Sequence, residues 1–474
     1  MENVPTQTPP TVTESVAEAV PAFEPQKPVR PALPSLPIKK IAIAIGVLIV
    51  LLLVGVGAMF ALRIVQQRQT SQTNSNRQIN LTYWGLWESN DALTSVIKDF
   101  ENQNPGVTIQ YSPQSARDYN ERLQSACARS QCPDIFRFHS TWTASYTQKE
   151  LLAPIPAKVL SAGEFNDRYY PFMSTDLKTA QGYMGMPVMM DGLGLYVNKR
   201  MLTSSGKSVP VTWDELRTLA RELTVRNQDG AIERAGISLG SAENVDHFSD
   251  ILAILILQNG GNPGKPTEGT LVSDALTFYT QFLKEDKVWD ETLPNSTYAF
   301  AIEKSAMLIA PSWRSYEIRQ INPNFDFEIY PIPQLPGDPV NWATYWAEGV
   351  SKQSKEQETA WKFLQYLSST ETLEKLHTGM NSQRLPAEIY PRKDMADKLI
   401  NDKYMGAYVR QASTAKSWYL ASRTFDKGIN DELIALYKEA VTSVNKGYGT
   451  RLDDVLKALN TGVSASLQKY NVRP

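Results

Sequence analysis

Residues that commonly carry catalysis are scarce in this sequence. It has only three histidines, His139, His247 and His377, and they lie far apart. The motifs G-x-S-x-G and H-E-x-x-H are missing, as are a P-loop and a G-x-G-x-x-G that enters a helix. A glycosidase pair of carboxylates cannot be located, since 50 acidic residues offer many such pairs. The sequence therefore argues against an enzyme and implies no cofactor.

The sequence also lacks an excess of charge of either sign. Lys and Arg number 48 and Asp and Glu 50, so the formal net charge is -2. No basic stripe is interleaved with aromatic residues, and a nucleic acid is therefore excluded as an expected partner. The 474 residues, 42% hydrophobic and 21% charged, predict a globular protein with more than one folded unit.

Cysteine is limited to Cys127 and Cys132, in the segment SACARSQCPD. In an exported domain this spacing favours a local disulfide that joins the end of a helix to the next strand, with free thiols as the alternative. A metal site would need more ligands, because two thiols with the nearby His139 match no common zinc spacing. We expect no metal site.

Long apolar runs are absent except for one, residues 41–62, which read IAIAIGVLIVLLLVGVGAMFAL without a charged residue. This length is sufficient to cross a bilayer, so residues 39–63 are predicted to form a transmembrane helix. A polar lead of residues 1–38, an overlong apolar stretch and the lack of an A-x-A-like exit argue against a cleaved signal peptide. No cysteine follows the span, which excludes lipid attachment there.

The flanks of this run indicate its orientation. Residues 1–38 are rich in proline and predicted to be a disordered tail, and residues 64–78 form a polar linker. Basic residues precede the span slightly more often than they follow it, which favours a cytoplasmic N-terminus. We therefore expect a single-pass protein of the cell membrane whose C-terminal domain is extracellular.

From Ile79 onward, strand and helix patterns alternate along the chain. INLTYW reads as a strand, the helical spacing of Leu93, Val96 and Phe100 follows, and VTIQY and DIFRF read as further strands separated by a helix. Thr212 and Glu215 form a capping box that opens a later helix. This alternation predicts an α/β fold with parallel strands.

Aromatic residues recur at the ends of these strands and in the loops that follow them. Their flat faces suit the apolar faces of sugar rings, while carboxylates and amides nearby can bond the hydroxyl groups. Trp213 and Trp361, on the apolar sides of helices, are instead expected to be structural. The aromatic residues at strand ends and in the following loops make carbohydrate binding the leading hypothesis.

Taken in order, seven segments resemble the family 1 extracellular solute-binding proteins of ABC importers, the group that includes maltose-binding proteins. They are INLTYWG, FENQNPGVTIQY, DYNERLQSA followed by CPDIF, GYMGMPVMMDGLGLYVNKRML, VPVTWDEL, SAMLIAPSW and SKQSKEQETAWKFLQYLSS. The resemblance implies two α/β lobes joined by hinge strands, which close on a solute. It covers residues 79–474, with lobe one at about 79–190 and 350–385 and lobe two at about 191–349 and 386–474.

The same resemblance implies a site and a role. The expected ligand-binding residues are Trp84, Glu88, Trp142, Asp191, Trp313, Tyr345 and Trp346. The expected function is that of a monomeric, membrane-anchored receptor that captures an oligosaccharide and delivers it to the permease subunits of an ABC transporter. The alternative is a surface glycan sensor or attachment protein with the same binding fold.

Overall fold

A computed structural model gives the structure of the chain and describes residues 55–59, 63, 78–88, 90–381, 388–447 and 451–473. The chain separates into two units, Met1–Asn74 and Ser75–Pro474. The tail, residues 64–77 of the linker and most of the predicted membrane span lie outside the described residues, although residues 55–59 are helical. Within the described ranges, no helix combines the length and the hydropathy needed to span a bilayer.

The strands of the second unit are short and are spread along the chain. In chain order they are Ile79–Leu86 (β1), Val107–Gln114 (β2), Ile135–His139 (β3), Leu152–Ala153 (β4), Lys178–Thr179 (β5), Gly182–Tyr183 (β6), Met186–Pro187 (β7), Asp191–Gly192 (β8), Gly194–Asn198 (β9), Val225–Arg226 (β10), Ile232–Arg234 (β11), Met307–Ala310 (β12), Phe327–Pro331 (β13), Asn341–Thr344 (β14), Trp346–Ser351 (β15) and Ala415–Lys416 (β16).

Helices occupy most of the connections between these strands. In chain order they are Asn90–Gln103 (α1), Tyr119–Ala128 (α2), Thr143–Gln148 (α3), Ala162–Arg168 (α4), Pro171–Leu177 (α5), Lys199–Ser205 (α6), Trp213–Leu223 (α7), Phe248–Gln258 (α8), Leu271–Lys284 (α9), Ser296–Ala301 (α10), Arg314–Ile321 (α11), Gln357–Leu367 (α12), Thr370–Asn381 (α13), Gly406–Gln411 (α14), Ile429–Lys446 (α15) and Leu452–Lys469 (α16). Short 3-10 turns cover Ser140–Trp142, Lys393–Lys398 and Ala412–Thr414.

Two sheets form the centres of two lobes, and a third joins them. Lobe one contains the order β2-β1-β3-β15-β4, with β7 also paired to β15, and lobe two contains β12-β9-β13. Strands β1, β2 and β3 are parallel, whereas β15 returns from lobe two and pairs with β3 in the antiparallel sense. Strands β8 and β14 pair in the small connecting sheet with β16, where the chain crosses between the lobes. The predicted two-lobed α/β fold is confirmed.

Local sequence accounts for several of these elements. All five residues of β3 are buried, as expected for a central strand covered on both faces. Helix α7 begins with the predicted capping box, in which the Thr212 side chain accepts from the Glu215 N–H and Glu215 bonds back to the Thr212 N–H. Trp213 and Trp361 are buried in the two cores. Cys127 and Cys132 are joined by a disulfide between the end of α2 and the segment that leads into β3.

Two sets of backbone pairings lie near the predicted lobe boundaries. Strand β15 pairs with the lobe-one strand β3 from Trp346 to Val350. Near the predicted boundary at residue 386, Ile389 bridges Met190 and Arg392 bridges Tyr169. These short backbone pairings carry no sequence pattern of their own, so tertiary contact alone places the segment.

Candidate functional site

A cleft of about 340 Å³ lies between the two lobes beside the connecting strands. Side chains from both lobes and from the connection line it, and six of them are aromatic rings other than histidine. The lining residues are Trp87, His139, Met189, Met190, Asp191, His247, Asp250, Pro311, Trp313, Tyr316, Glu317, Thr344, Tyr345, Trp346, Glu388, Ser422, Arg423 and Phe425. The cleft thus combines apolar surface with a few polar groups, as small-molecule sites do.

The lobe-one wall of the cleft consists of Trp87, His139 and Trp346. Trp346 opens β15 directly opposite His139, and their rings meet edge to face at 5.0 Å. Trp87 follows β1 and packs edge to face on Trp346 at 4.8 Å. Trp142 contacts Trp346 at 5.2 Å but is 2% exposed. Three strand ends of one sheet therefore bring these rings together.

His139 contributes a neutral hydrogen-bonding group to this wall. Its Nδ1 lies 2.8 Å from the hydroxyl of Thr141 and its Nε2 lies 2.9 Å from the hydroxyl of Thr344. Burial lowers the pKa of His139 to about 3, so the imidazole is uncharged near neutral pH. The ring links β3 to the connecting strand β14 rather than acting as a proton carrier.

The lobe-two wall is centred on Trp313, which follows β12 and precedes α11. The Arg314 guanidinium lies 4.3 Å from the centre of the Trp313 ring, and the His247 ring meets it edge to face at 5.6 Å. Arg314 is buried, donates to Nε2 of His247 at 2.9 Å and lies 3.3 Å from a carboxylate oxygen of Asp246. A fixed guanidinium therefore supports Trp313 from one side.

Asp191 lies at the base of the cleft in β8 and connects the crossing strand to lobe two. Its carboxylate accepts from the Gly192 N–H at 2.7 Å, from the Ser312 N–H at 3.0 Å and from the Ser312 hydroxyl at 2.8 Å. Ser312 directly precedes Trp313, so these bonds set the position of that tryptophan. Burial, with a contribution from Glu388, raises the pKa of Asp191 to about 7, although the donated hydrogen bonds oppose the shift.

Asp191→Asn is expected to make folding stability less dependent on pH. The pKa of Asp191 in the folded state exceeds its ordinary value of 3.8, so the stability that Asp191 contributes is complete below that value and is lost as the pH rises through about 7. An asparagine can accept from both N–H groups and donate to the Ser312 hydroxyl. At pH 8 the variant should therefore be more stable than the wild type by roughly 1–3 kcal/mol, a range reduced for access of cleft water.

Urea unfolding at pH 5 and pH 8 measures this difference. The neighbouring variant Ser312→Ala removes one donor without removing a charge, and it should destabilise the protein at both pH values. A wild type whose advantage over Asp191→Asn grew between pH 5 and pH 8 would contradict the assignment of a raised pKa.

Four of the seven predicted ligand-binding residues line the cleft: Asp191, Trp313, Tyr345 and Trp346.

The structure places the other three predicted ligand-binding residues elsewhere. Trp84 is half-buried within β1 and packs on the lobe-one core. Trp142 is buried behind Trp346, and Glu88 is 2% exposed in an ion pair with Arg137. Strand β1 continues to Leu86, two residues past the predicted end, so Trp87 rather than Trp84 reaches the cleft.

Several lining residues were not predicted as ligand contacts from the sequence. Trp87 could have been found from the sequence, because it directly follows the first strand when that strand is taken to end at Leu86. His247, Asp250, Arg423 and Phe425 had none, because they reach the cleft through folding of distant segments. Among the residues that the structure describes, no group of three or more His, Cys, Asp or Glu side chains could hold a metal ion.

Comparison with known proteins gives consistent results for family and fold. Residues 86–374 match the family model described as bacterial extracellular solute-binding protein. The chain is 22% identical over 350 residues to the multiple sugar-binding protein of Streptococcus mutans, an alignment that covers 65% of this chain and 75% of that protein.

Two solved structures share the fold. The sugar-binding protein MalE of Xanthomonas citri aligns with a TM-score of 0.69 at 19% identity, covering 83% of this chain and 98% of that chain. The cyclic alpha-maltosyl-1,6-maltose binding protein of Arthrobacter globiformis aligns with a TM-score of 0.66 at 18% identity, covering 83% of this chain and 100% of that chain. At these identities the similarity establishes the two-lobed architecture.

Proposed function

We propose that this chain, which belongs to the bacterial extracellular solute-binding proteins, captures a carbohydrate in its interlobe cleft and delivers it to the permease of an ABC importer. The observation that carries the proposal is that aromatic rings from both lobes line one cleft, Trp346 from lobe one and Trp313 from lobe two. Indole faces suit the apolar faces of pyranose rings, and the polar lining groups suit their hydroxyls. The sugar-binding names of the similar proteins support the same class of solute.

The position of the cleft supports a capture mechanism based on lobe closure. Asp191 of the crossing strand β8 bonds Ser312 of lobe two, and Tyr345 lies between the crossing strand β14 and the lobe-one strand β15. Rotation of the lobes about these strands would change the distance between Trp313 and Trp346. A solute that contacts both walls binds the closed state better than the open one, and therefore shifts the population toward closure. The permease would recognise the closed form.

We propose further that residues 39–63 anchor the receptor at the outer face of the cell membrane, with the proline-rich tail in the cytoplasm. The support is the uninterrupted apolar run of residues 41–62, which exceeds a secretory signal in length. Such an anchor would keep the receptor near its permease. The same membrane anchor would also suit a surface glycan sensor. Membrane fractionation of the full chain and of a chain shortened to begin at Ser75 tests the anchor.

A sugar screen provides the direct test of carbohydrate binding. The purified chain is heated with mono- and oligosaccharides, and a true solute at 100 times its Kd should stabilise the folded state by about 2.7 kcal/mol. The melting temperature should then rise by a few degrees, and isothermal titration should give saturable binding. Absence of a shift with every neutral mono- and oligosaccharide would contradict the proposal. Turnover of a sugar that stabilises the chain would indicate an enzyme instead.

A further inference from the structure

One arginine and two carboxylates are buried together in the lobe-one sheet, next to the lobe-one wall. Arg137, Glu88 and Glu348 are 1%, 2% and 0% exposed. Nη1 of Arg137 donates to both carboxylate oxygens of Glu88 at 2.5 and 2.6 Å, and its Nε and Nη2 donate to Oε1 of Glu348 at 2.7 and 2.5 Å. Burial of three charges is costly, and hydrophobic residues could fill the same volume more favourably. The arrangement therefore calls for a role beyond stability.

Strand register connects this triad to Trp346. In the antiparallel pair of β3 and β15, Arg137 lies opposite Glu348 and His139 lies opposite Trp346. Because side chains alternate along a strand, the two cross-strand pairs lie on the same face of the sheet, one step apart. The bond between Arg137 and Glu348 therefore fixes the strand that presents Trp346, immediately beside the point where its ring enters the cleft.

The triad also holds the turn that carries Trp87. This residue has a φ of 68°, a conformation that is rare for a bulky side chain. The Glu88 N–H donates to the Leu86 carbonyl at 2.9 Å, which closes a three-residue γ-turn around Trp87. Arg137 Nη1 donates to the same Leu86 carbonyl at 2.9 Å and to the Glu88 carboxylate. Arg137 thus fastens the turn on both sides of Trp87.

The result of this fastening is visible at the cleft. Trp87 is 41% exposed, so few of its own contacts hold it, yet its ring packs edge to face on Trp346. The Glu88 carbonyl receives the hydroxyl of Tyr111 at 2.8 Å, which further directs Glu88 inward. Without the bonds that hold the Glu88 side chain in the core, the strained turn would relax to a common backbone conformation. The Trp87 ring would then move out of the lobe-one wall.

We infer that Arg137, acting through Glu88 and Glu348, is a positioning residue for solute binding that fixes Trp87 and Trp346 as a preformed wall of the cleft. The inference rests on the proposed function of that cleft. Preforming the wall lowers the ordering cost of binding, since the two indoles are already arranged before a solute arrives.

The effect of the Glu88 charge on folding stability can be distinguished from the effect of the Glu88 hydrogen bonds on the position of Trp87. Burial raises the pKa of Glu88 to about 6, with Glu388 and Glu348 adding to the shift and Arg137 opposing it. Ionised Glu88 therefore lowers the stability of the fold at pH 8. A neutral group that still accepts from Arg137 should hold the turn without this cost, which makes glutamine the informative replacement.

The test compares Glu88→Ala with Glu88→Gln in the full chain at pH 8. Paired indoles give an exciton signal in far-ultraviolet circular dichroism, and the difference between the wild type and Trp87→Phe isolates the share of Trp87. Glu88→Ala should reproduce that difference and should weaken binding of the sugar found in the screen about tenfold. Glu88→Gln should retain both the signal and the affinity, and should melt at or above the wild-type temperature.

Asp286→Ala is the matched control, because Asp286 is a buried carboxylate that pairs with Arg217 at 2.5 Å and does not line the cleft. It should lower the melting temperature and change neither the exciton signal nor the affinity. Should Glu88→Ala not fold, Glu88→Asp withdraws the carboxylate from Arg137 and should show the same two losses. A Glu88→Ala or Glu88→Asp protein with the wild-type signal and affinity would overturn the inference. If the wild type binds no sugar, the proposed function fails, and the exciton signal alone still decides whether Glu88 holds Trp87.

Discussion

Arg137→Met is expected to lower the free energy of unfolding by about 3–5 kcal/mol, the cost typical of removing one partner from a buried ion pair. The substitution leaves the carboxylates of Glu88 and Glu348 inside the lobe-one core without a countercharge, and it removes a donor from the Leu86 carbonyl. Methionine fills most of the volume of the arginine stem, so the loss reflects charge rather than a cavity. Urea unfolding at pH 7, followed by circular dichroism, measures it.

The pH dependence and a triple variant provide the controls for this prediction. Burial raises the pKa of Glu88 to about 6 even beside Arg137, so at pH 5 this carboxyl group binds a proton, and the difference between Arg137→Met and the wild type should be smaller than at pH 7. Combining Arg137→Met with Glu88→Gln and Glu348→Gln removes all three charges and should restore most of the stability. A loss below about 1 kcal/mol at pH 7, the range of exposed ion pairs, would contradict the buried triad.

Trp313→Ala is expected to weaken binding of the identified sugar by about 100-fold, or roughly 2.7 kcal/mol. Trp313 is the central ring of the lobe-two wall, and the Arg314 guanidinium and the Asp191–Ser312 bonds hold it in place before a solute binds. The substitution removes the ring on which a sugar would stack. It also removes the lobe-two contact that favours the closed state. Isothermal titration with the wild type and the variant measures the change in Kd.

Trp418→Ala is the matched control for Trp313→Ala. Trp418 is also a half-buried tryptophan of lobe two, its ring contacts Tyr419 at 5.8 Å, and it does not line the cleft. This variant should bind the sugar with the wild-type Kd even if it melts earlier. Equal losses of affinity in the two variants would show that the effect comes from general destabilisation of lobe two, and would remove Trp313 from the proposed site.

Local sequence patterns determined much of the architecture. The capping box of Thr212 and Glu215, the alternation of apolar strands and helices, and the apolar faces that bury Trp213 and Trp361 depend on residues close together in the chain. Neighbours of this kind follow the periods of helix and strand, which can be read from one sequence. The order of the segments then sufficed for the family and the two-lobed fold.

The candidate site could be predicted only in part. Trp313 and Trp346 stand at strand ends, where the edge of a sheet meets a cleft, and both line it. Trp84 and Trp87 could not be distinguished, because two additional residues in β1 decide which ring emerges. The Glu88 carboxylate is a group that could equally bond a sugar hydroxyl. Its pairing with Arg137 could not be predicted, because the two residues lie 49 positions apart in the chain.

The sequence by itself thus determined the fold class, the family and the strand ends at which aromatic residues would gather. Only the tertiary structure decided which of those residues face the cleft. It turned Glu88 inward to Arg137, directed Trp87 outward through a γ-turn, and brought Arg423 and Phe425 to the site from far along the chain. The physical reason is that burial and charge pairing depend on neighbours in space, and a single sequence records only neighbours along the chain.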